Sequence, residues 1–165
     1  QCIRDLRISQ IYEGTNGVQS QDLIGRKTIK CGGAFIAEYI TEIRDFANAL
    51  DTDLNFIKDA TLDAATEIEA ITQFIIEQAA ENVEFPNSTA VDYLSAVGLL
   101  SFSYMFAKIA AAAKDKSGDF YQNKLALAQY FVDRILPELD SRLAKIKSGS
   151  DLIMNFSEDY FTNQA

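Results

Sequence analysis

The sequence has 165 residues, of which 48% are hydrophobic and 24% charged, a composition typical of a globular domain rather than a disordered chain. It contains 15 Lys and Arg against 24 Asp and Glu, and the net charge of −9 disfavours contact with nucleic acid or an anionic membrane surface. The absence of histidine excludes Ser-His-Asp hydrolysis, Cys-His nucleophiles and histidine-ligated zinc or haem from this chain alone. Two cysteines form neither a disulfide framework nor a metal knuckle, so no metal site is predicted.

No membrane span is predicted, because the longest uncharged apolar stretch, residues 93–107, has 15 residues and a spanning helix needs about 20. The sequence predicts no signal peptide, and a cytoplasmic location is expected. The chain starts at Gln1 instead of methionine, so we expect a piece of a longer polypeptide.

The first thirty residues are predicted to be a loop followed by a short helix over about residues 17–27. Three glycines, Gly14, Gly17 and Gly25, interrupt a polar stretch there. From residue 34 to 50, apolar residues at steps of 4 and 3 predict a first long helix. Asp51 and Asp53 offer a break, and Ile57, Thr61, Ala64, Ile68, Ile71 and Ile75 then predict a second helix over 54–81 with a bundle-type seam.

Two further long helices follow. Pro86 lies in a predicted turn, and Thr89 with Asp92 matches a capping box that opens a third helix ending near Lys114. That helix is apolar nearly all round, which predicts the most buried element. A fourth helix runs from a cap at Asp119 to about residue 147, where Pro137 should kink or split it. Its predicted core face comprises Leu125, Ala128, Val132, Ile135, Leu139, Leu143 and Ile146.

These segments predict an all-α fold: an antiparallel four-helix bundle preceded by a loop and a short helix. Little within the bundle indicates chemistry. Glu67 and Glu69 fall at exposed helical phases and are interpreted as solvated. The aromatic group Tyr93, Phe102, Tyr104 and Phe106 is interpreted as core instead of a cofactor site.

The stretch Glu13-Gly14-Thr15-Asn16-Gly17 is the one candidate for a functional segment. Small side chains and accessible backbone amides would let a phosphate-bearing or planar ligand approach closely. A polar turn leading into a helix, with Glu13 solvated, explains the same residue types. The residues alone leave both interpretations open.

Residues 11–19, Ile-Tyr-Glu-Gly-Thr-Asn-Gly-Val-Gln, closely resemble the signature near the end of the catalytic core of FAD-dependent acyl-CoA dehydrogenases. The resemblance extends over Arg4-Asp5-x-Arg7-Ile8 before them and Asp22-Leu23-Ile24-Gly25-Arg26-Lys27 after them, about 24 consecutive positions. Residues 91–113 and 120–137 look like the extra helical C-terminal domain of the large-subunit branch that includes methylthiopropanoyl-CoA dehydrogenases, with less specific motifs.

The resemblance implies that Glu13 is the catalytic base that removes the α-proton of an acyl thioester while a hydride passes from the β-carbon to FAD. A carboxylate can do this once the carbonyl is polarised and water is excluded. It also implies that Gly14 lies against the thioester and that Thr15, Asn16, Gly17 and Gln19 lie near FAD. Other members carry a different pair of residues after the threonine, so Asn16 and Gly17 are assigned by backbone position.

The implied domains are residues 1–30, the end of the catalytic core with the base-bearing loop, and residues 31–165, a helical C-terminal domain. The implied partners are an acyl-CoA substrate, the N-terminal and middle domains of the parent chain, an electron acceptor and further copies in a homo-oligomer. FAD would be bound by the parent, and this segment alone would be inactive. Two alternatives stay open: a structural or interaction module for oligomer assembly or for covering the substrate tunnel, and a relative that keeps the flavin for another role, such as a DNA-damage response.

Overall fold

The computed structural model describes residues 1–10, 15–157 and 159–162, and every regular element in that part of the chain is helical, which confirms the all-α prediction. The N-terminal part contains α1 (Cys2–Leu6), a 3₁₀ turn (Arg7–Gln10) and α2 (Asn16–Gln21), which continues as a π-helix (Asp22–Ile29). The remaining elements are α3 (Ala34–Asn48), a 3₁₀ turn (Thr52–Leu54), α4 (Asn55–Glu81), α5 (Phe85–Ala113), α6 (Asp119–Tyr130) with a π-helix (Phe131–Ile135), α7 (Glu138–Lys147), α8 (Asp151–Met154) and α9 (Asp159–Thr162).

Helices α3, α4, α5 and the α6–α7 pair form the predicted bundle, and cross-helix contacts establish that successive helices are antiparallel. Thr72 contacts Tyr93 near one end of the α4–α5 pair, and Thr61 contacts Ser103 farther along it. Phe106 stacks on Phe131 with ring centroids 4.7 Å apart. The π-helix after α2 packs in the same core, since Ile24 is fully buried among the bundle residues.

The α4 seam is confirmed, because all six of its predicted positions are buried. Helix α5 has more buried residues than any other described element, as predicted. It differs from the prediction at Phe102, which was assigned to the core and is 59% exposed; Val91, Met105 and Ile109 are also 52%, 43% and 37% exposed. A helix that is apolar nearly all round has no sequence signal for its outer face.

The start of α5 also differs from the prediction. The helix begins at Phe85, with Pro86 in its first turn, where a missing N–H costs no hydrogen bond. Thr89 is therefore inside the helix, and its hydroxyl donates to the carbonyl of Phe85 at 3.2 Å. The predicted capping box at Thr89 is wrong.

By length and composition, α5 is the one helix among the described residues that could cross a membrane. Its most apolar window is 44% buried within the fold, and a single helix of this kind is weak evidence for a membrane span. The absence of a span stays a prediction.

Pro137 splits the fourth helix, as predicted, and a π-helix precedes the break. The amide of Leu136 donates to the carbonyl of Phe131, five residues back, at 2.9 Å. A π turn accommodates one extra residue and so shifts the helical phase. For this reason Phe131 and Leu136 are buried in place of the predicted Val132 and Ile135, which are only partly buried.

The N-terminal prediction was wrong in one respect. Residues 2–10 are helical instead of a loop, with side-chain hydrogen bonds one turn apart, such as Gln1 Nε2 to Asp5 Oδ1 at 2.7 Å. The predicted short helix exists and is longer, since α2 and its π continuation cover residues 16–29.

Candidate active-site segment

The predicted base and thioester contact, Glu13 and Gly14, lie outside the described residues, as do Ile11 and Tyr12. Their roles stay predictions. The other four predicted site residues, Thr15, Asn16, Gly17 and Gln19, lie at the start of α2 and are described. The structure therefore describes the geometry of the candidate site only from Thr15 onward.

Thr15 occupies the N-cap position of α2 and is half-buried. Its carbonyl accepts the amide hydrogen of Gln19 at 2.8 Å, which closes the first helical turn. The Thr15 side chain makes no capping hydrogen bond. The first turn of a helix leaves backbone amides without intrahelical acceptors, and these amides are the groups that could meet ligand oxygen atoms.

Asn16, Gly17 and Gln19 are exposed. A Cβ built at Gly17 meets no heavy atom of the described residues within 4 Å, so these residues leave the backbone there open to approach. The next residue inward, Ser20, is buried and its hydroxyl donates to the Gly17 carbonyl at 2.8 Å. The segment thus presents a polar surface on a fixed backbone, as binding of a planar or phosphate-bearing group requires.

The helix that carries these residues is anchored by one face. Ser20, Ile24 and Thr28 recur every fourth residue and are all buried. The Thr28 hydroxyl donates to the carbonyl of Leu23 at 2.9 Å, so its proton is used within its own helix. The oxygen of the Thr28 hydroxyl also lies 3.4 Å from the hydroxyl oxygen of Tyr93 on α5. The core therefore fixes the direction in which Asn16, Gly17 and Gln19 point away from the bundle.

Charge is unevenly distributed along the chain, a signal the composition totals conceal. The first thirty residues carry five Lys or Arg and three Asp or Glu, a net charge of +2 in a chain whose total is −9. Asp22 forms ion pairs with Arg26 and with Lys27, the latter at 3.9 Å. The local positive excess favours an anionic ligand near α2 and not elsewhere on the acidic surface.

The rest of the described chain offers no competing catalytic centre. Among the described residues there is no group of three or more His, Cys, Asp or Glu side chains placed to hold a metal ion. Glu67 and Glu69 are exposed, as predicted, and Glu69 pairs with Arg44 at 2.7 Å. Of the four aromatic residues assigned to the core, Tyr93 and Tyr104 are buried and Phe106 is partly buried, but Phe102 is exposed.

A family model described as "Acetyl-CoA dehydrogenase C-terminal like" matches residues 39–157, which is well over half of the chain. The chain belongs to this family. The match covers most of α3 and all of α4 to α8, so the family resemblance predicted from residues 91–113 and 120–137 is confirmed.

Three curated proteins are similar to this family member over nearly its whole length. The broad-specificity linear acyl-CoA dehydrogenase FadE5 of Mycobacterium tuberculosis is 29% identical over 98% of this chain and 29% of its own length. The 3-methylmercaptopropionyl-CoA dehydrogenase of Ruegeria pomeroyi is 28% identical over 95% of this chain and 28% of its own length. A butyryl-CoA dehydrogenase of Syntrophomonas wolfei is 25% identical over 96% and 28%. The chain thus spans less than a third of each of these relatives.

Proposed function

We propose that this chain is the C-terminal part of an FAD-dependent acyl-CoA dehydrogenase that oxidises an acyl-CoA to the 2,3-enoyl-CoA. The observation that carries the proposal is the similarity of 95% or more of the chain to curated proteins that are all named acyl-CoA dehydrogenases. The chain covers 28–29% of their length, which supports the proposal that catalysis needs the longer polypeptide and that the segment alone is inactive.

In this proposal Glu13 takes the α-proton of the thioester, the α C–H electron pair forms the new C–C double bond, and the β-hydrogen leaves with its electron pair. FAD, bound by the full-length parent, supplies the acceptor for that hydride. Gly14 lies against the thioester. A base that is next in sequence to a thioester contact could reach the carbon that it deprotonates, as general base catalysis requires.

The described residues fit a flavin neighbour at the start of α2. Asn16, Gly17 and Gln19 are exposed, no described residue lies within 4 Å of a Cβ built at Gly17, and the surrounding segment is locally positive. Thr15 would contact the cofactor from the N-cap position, where its hydroxyl makes no capping bond. Each residue would bind or orient the cofactor, and none of the four carries a proton in the reaction.

The experiment is Glu13→Gln in the full-length polypeptide, with acyl-CoA-dependent reduction of an artificial electron acceptor as the assay. Loss of a general base lowers the rate by about 100-fold or more, while FAD absorbance remains because the amide keeps the size of the side chain. Glu67→Gln is the matched control: it makes the same chemical change on the exposed face of α4 and leaves the rate unchanged. Full activity of Glu13→Gln would remove Glu13 from this role.

The second candidate is a packing module without chemistry of its own, used in homo-oligomer assembly or in covering the substrate tunnel. The exposed apolar side chains of α5 favour it. Both roles can belong to one polypeptide. An electron-transfer partner and a cytoplasmic location complete the proposal.

A further inference from the structure

Helix α5 carries a largely apolar surface stripe at steps of 4 and 3, in which Ser95 is the polar member. This α5 stripe comprises Val91, Ser95, Gly98, Phe102, Met105, Ile109 and Ala112. Its large members are Val91, Phe102, Met105 and Ile109, each between 37% and 59% exposed. No position of the stripe is charged. Alternating steps of 4 and 3 are the spacing with which one helix packs against another along a seam.

Gly98 lies in the middle of the stripe and is not explained by the bundle. A glycine inside a long helix is destabilising relative to alanine, so a packing reason is expected for it. A Cβ built at Gly98 meets no heavy atom within 4 Å. No described neighbour therefore requires glycine at position 98. The missing Cβ leaves room for an outside group to approach the α5 backbone closely.

The α5 stripe runs into a groove between the end of α5 and the start of α6. The groove has a volume of about 180 Å³ and is lined by Ile109, Ala112 and Phe120, among others. Phe120 is 65% exposed. Lys116 and Lys124 also line it, each within 5.1 Å of an aromatic ring centroid, so the apolar floor has a positive rim.

The position of α2 indicates what covers this surface. Helix α2 packs directly on α5. Under the proposed function, on which this inference rests, Asn16, Gly17 and Gln19 of α2 contact FAD held by the catalytic portion of the longer polypeptide. Helix α5 is thus a neighbour of the element that this catalytic portion would contact, and the relatives carry more than two thirds of their length outside the matched segment.

A second copy is a weaker match to the stripe. Four side chains that are about half exposed offer on the order of 400 Å², about half of what each partner of a stable interface contributes. A contact within one polypeptide needs less area, because the covalent connection raises the effective concentration. We propose that the α5 stripe is the surface on which the catalytic portion of the same polypeptide packs, through a helix that approaches closely at Gly98.

The test measures thiol accessibility in the full-length polypeptide. Met105→Cys and Ile109→Cys each place a thiol on the stripe, and Val83→Cys is the control in the α4–α5 connection, where the side chain is 82% exposed. Maleimide labelling is followed by mass spectrometry of the peptide that contains each site. We expect labelling at positions 105 and 109 to be slower than at 83 by about tenfold or more, and unchanged by about a hundredfold dilution.

Equal rates at the stripe and the control would overturn the proposal. So would protection that disappears on dilution, since the occupant would then be a second copy. Gly98→Leu provides a second measurement: the added side chain meets nothing in the bundle but displaces an outside helix, so labelling at position 109 accelerates. Ala37→Leu, at an exposed position of α3, is its control and leaves labelling slow. Activity of Glu13→Gln is measured separately, so failure of the stripe leaves the role of Glu13 standing.

Discussion

The hydroxyl of Tyr93 lies in a fully buried polar contact between three helices, and its removal has a calculable cost. Tyr93 is 0% exposed, and its oxygen lies 2.8 Å from Thr72 Oγ1 on α4 and 3.4 Å from Thr28 Oγ1. The Thr72 hydroxyl donates to the carbonyl of Ile68 at 2.6 Å, so the proton of Tyr93 is the one left for the contact with Thr72. The contact is therefore one good hydrogen bond from Tyr93 to Thr72.

Tyr93→Phe removes this bond without stranding its partner, because Thr72 keeps its bond to the Ile68 carbonyl. The expected loss is about 1 kcal/mol in the free energy of unfolding, or about 2–4 °C in Tm for a chain of this length. Thr72→Val differs in its effect on the residue that remains, because it leaves the buried Tyr93 hydroxyl without its nearest acceptor. That change should cost about 1–3 kcal/mol.

Urea denaturation of the two single variants and the double variant measures the coupling between the two residues. Once Tyr93 is phenylalanine, no hydroxyl is left to strand, so the double variant should be more stable than the sum of the single losses by about 1 kcal/mol. Single losses that add within about 0.3 kcal/mol would refute the assignment of the hydrogen bond.

Two further predictions concern the same fold. Burial raises the pKa of Tyr93, so the folded chain holds the phenol proton more tightly than the unfolded chain. The contribution of this proton to stability is fully present below about pH 10 and is lost as the pH rises above that value. Tyr93→Phe should reduce this loss in a series of urea midpoints measured at increasing pH. Gly33→Ala should destabilise the chain by about 1–2 kcal/mol, because Gly33 has φ +81° and an added Cβ would lie 3.2 Å from Ile76 Cδ1. Gly98→Ala should instead stabilise the 165-residue chain by about 0.5–1 kcal/mol, because Gly98 lies inside a helix and an added Cβ meets no described neighbour. A shift of both Tm values in the same direction would contradict this account of the two glycines.

The sequence was most informative where one helix face is apolar and the other polar. The seam of α4 is such a case, and every predicted position from Ile57 to Ile75 is buried. Helix α5 lacks that contrast, so its exposed Phe102 and Met105 were assigned to the core or to a buried helix. The exposure of these residues depends on where α3 and α6 pack, which periodicity within α5 does not encode.

The fourth helix shows a second limit. Pro137 was correctly predicted to interrupt it, but the π-helix before it shifts the buried face from Val132 and Ile135 to Phe131 and Leu136. An added residue in a helical turn leaves no separate sequence mark. At the candidate site, residue types alone left a polar turn and a ligand-binding turn both open from Glu13 to Gly17, and only the resemblance over 24 positions favours ligand binding.

The pairs Thr61–Ser103 and Thr72–Tyr93 together have a consequence for folding specificity. Both connect α4 to α5 within otherwise apolar surfaces, at 2.7 and 2.8 Å, three helical turns apart. If α5 slid along α4 by one turn, apolar side chains would still meet apolar side chains, but both hydroxyl pairs would separate at once inside the core. Buried polar groups without partners are costly. The two pairs therefore favour one register of α4 against α5 over other registers that bury similar apolar surface.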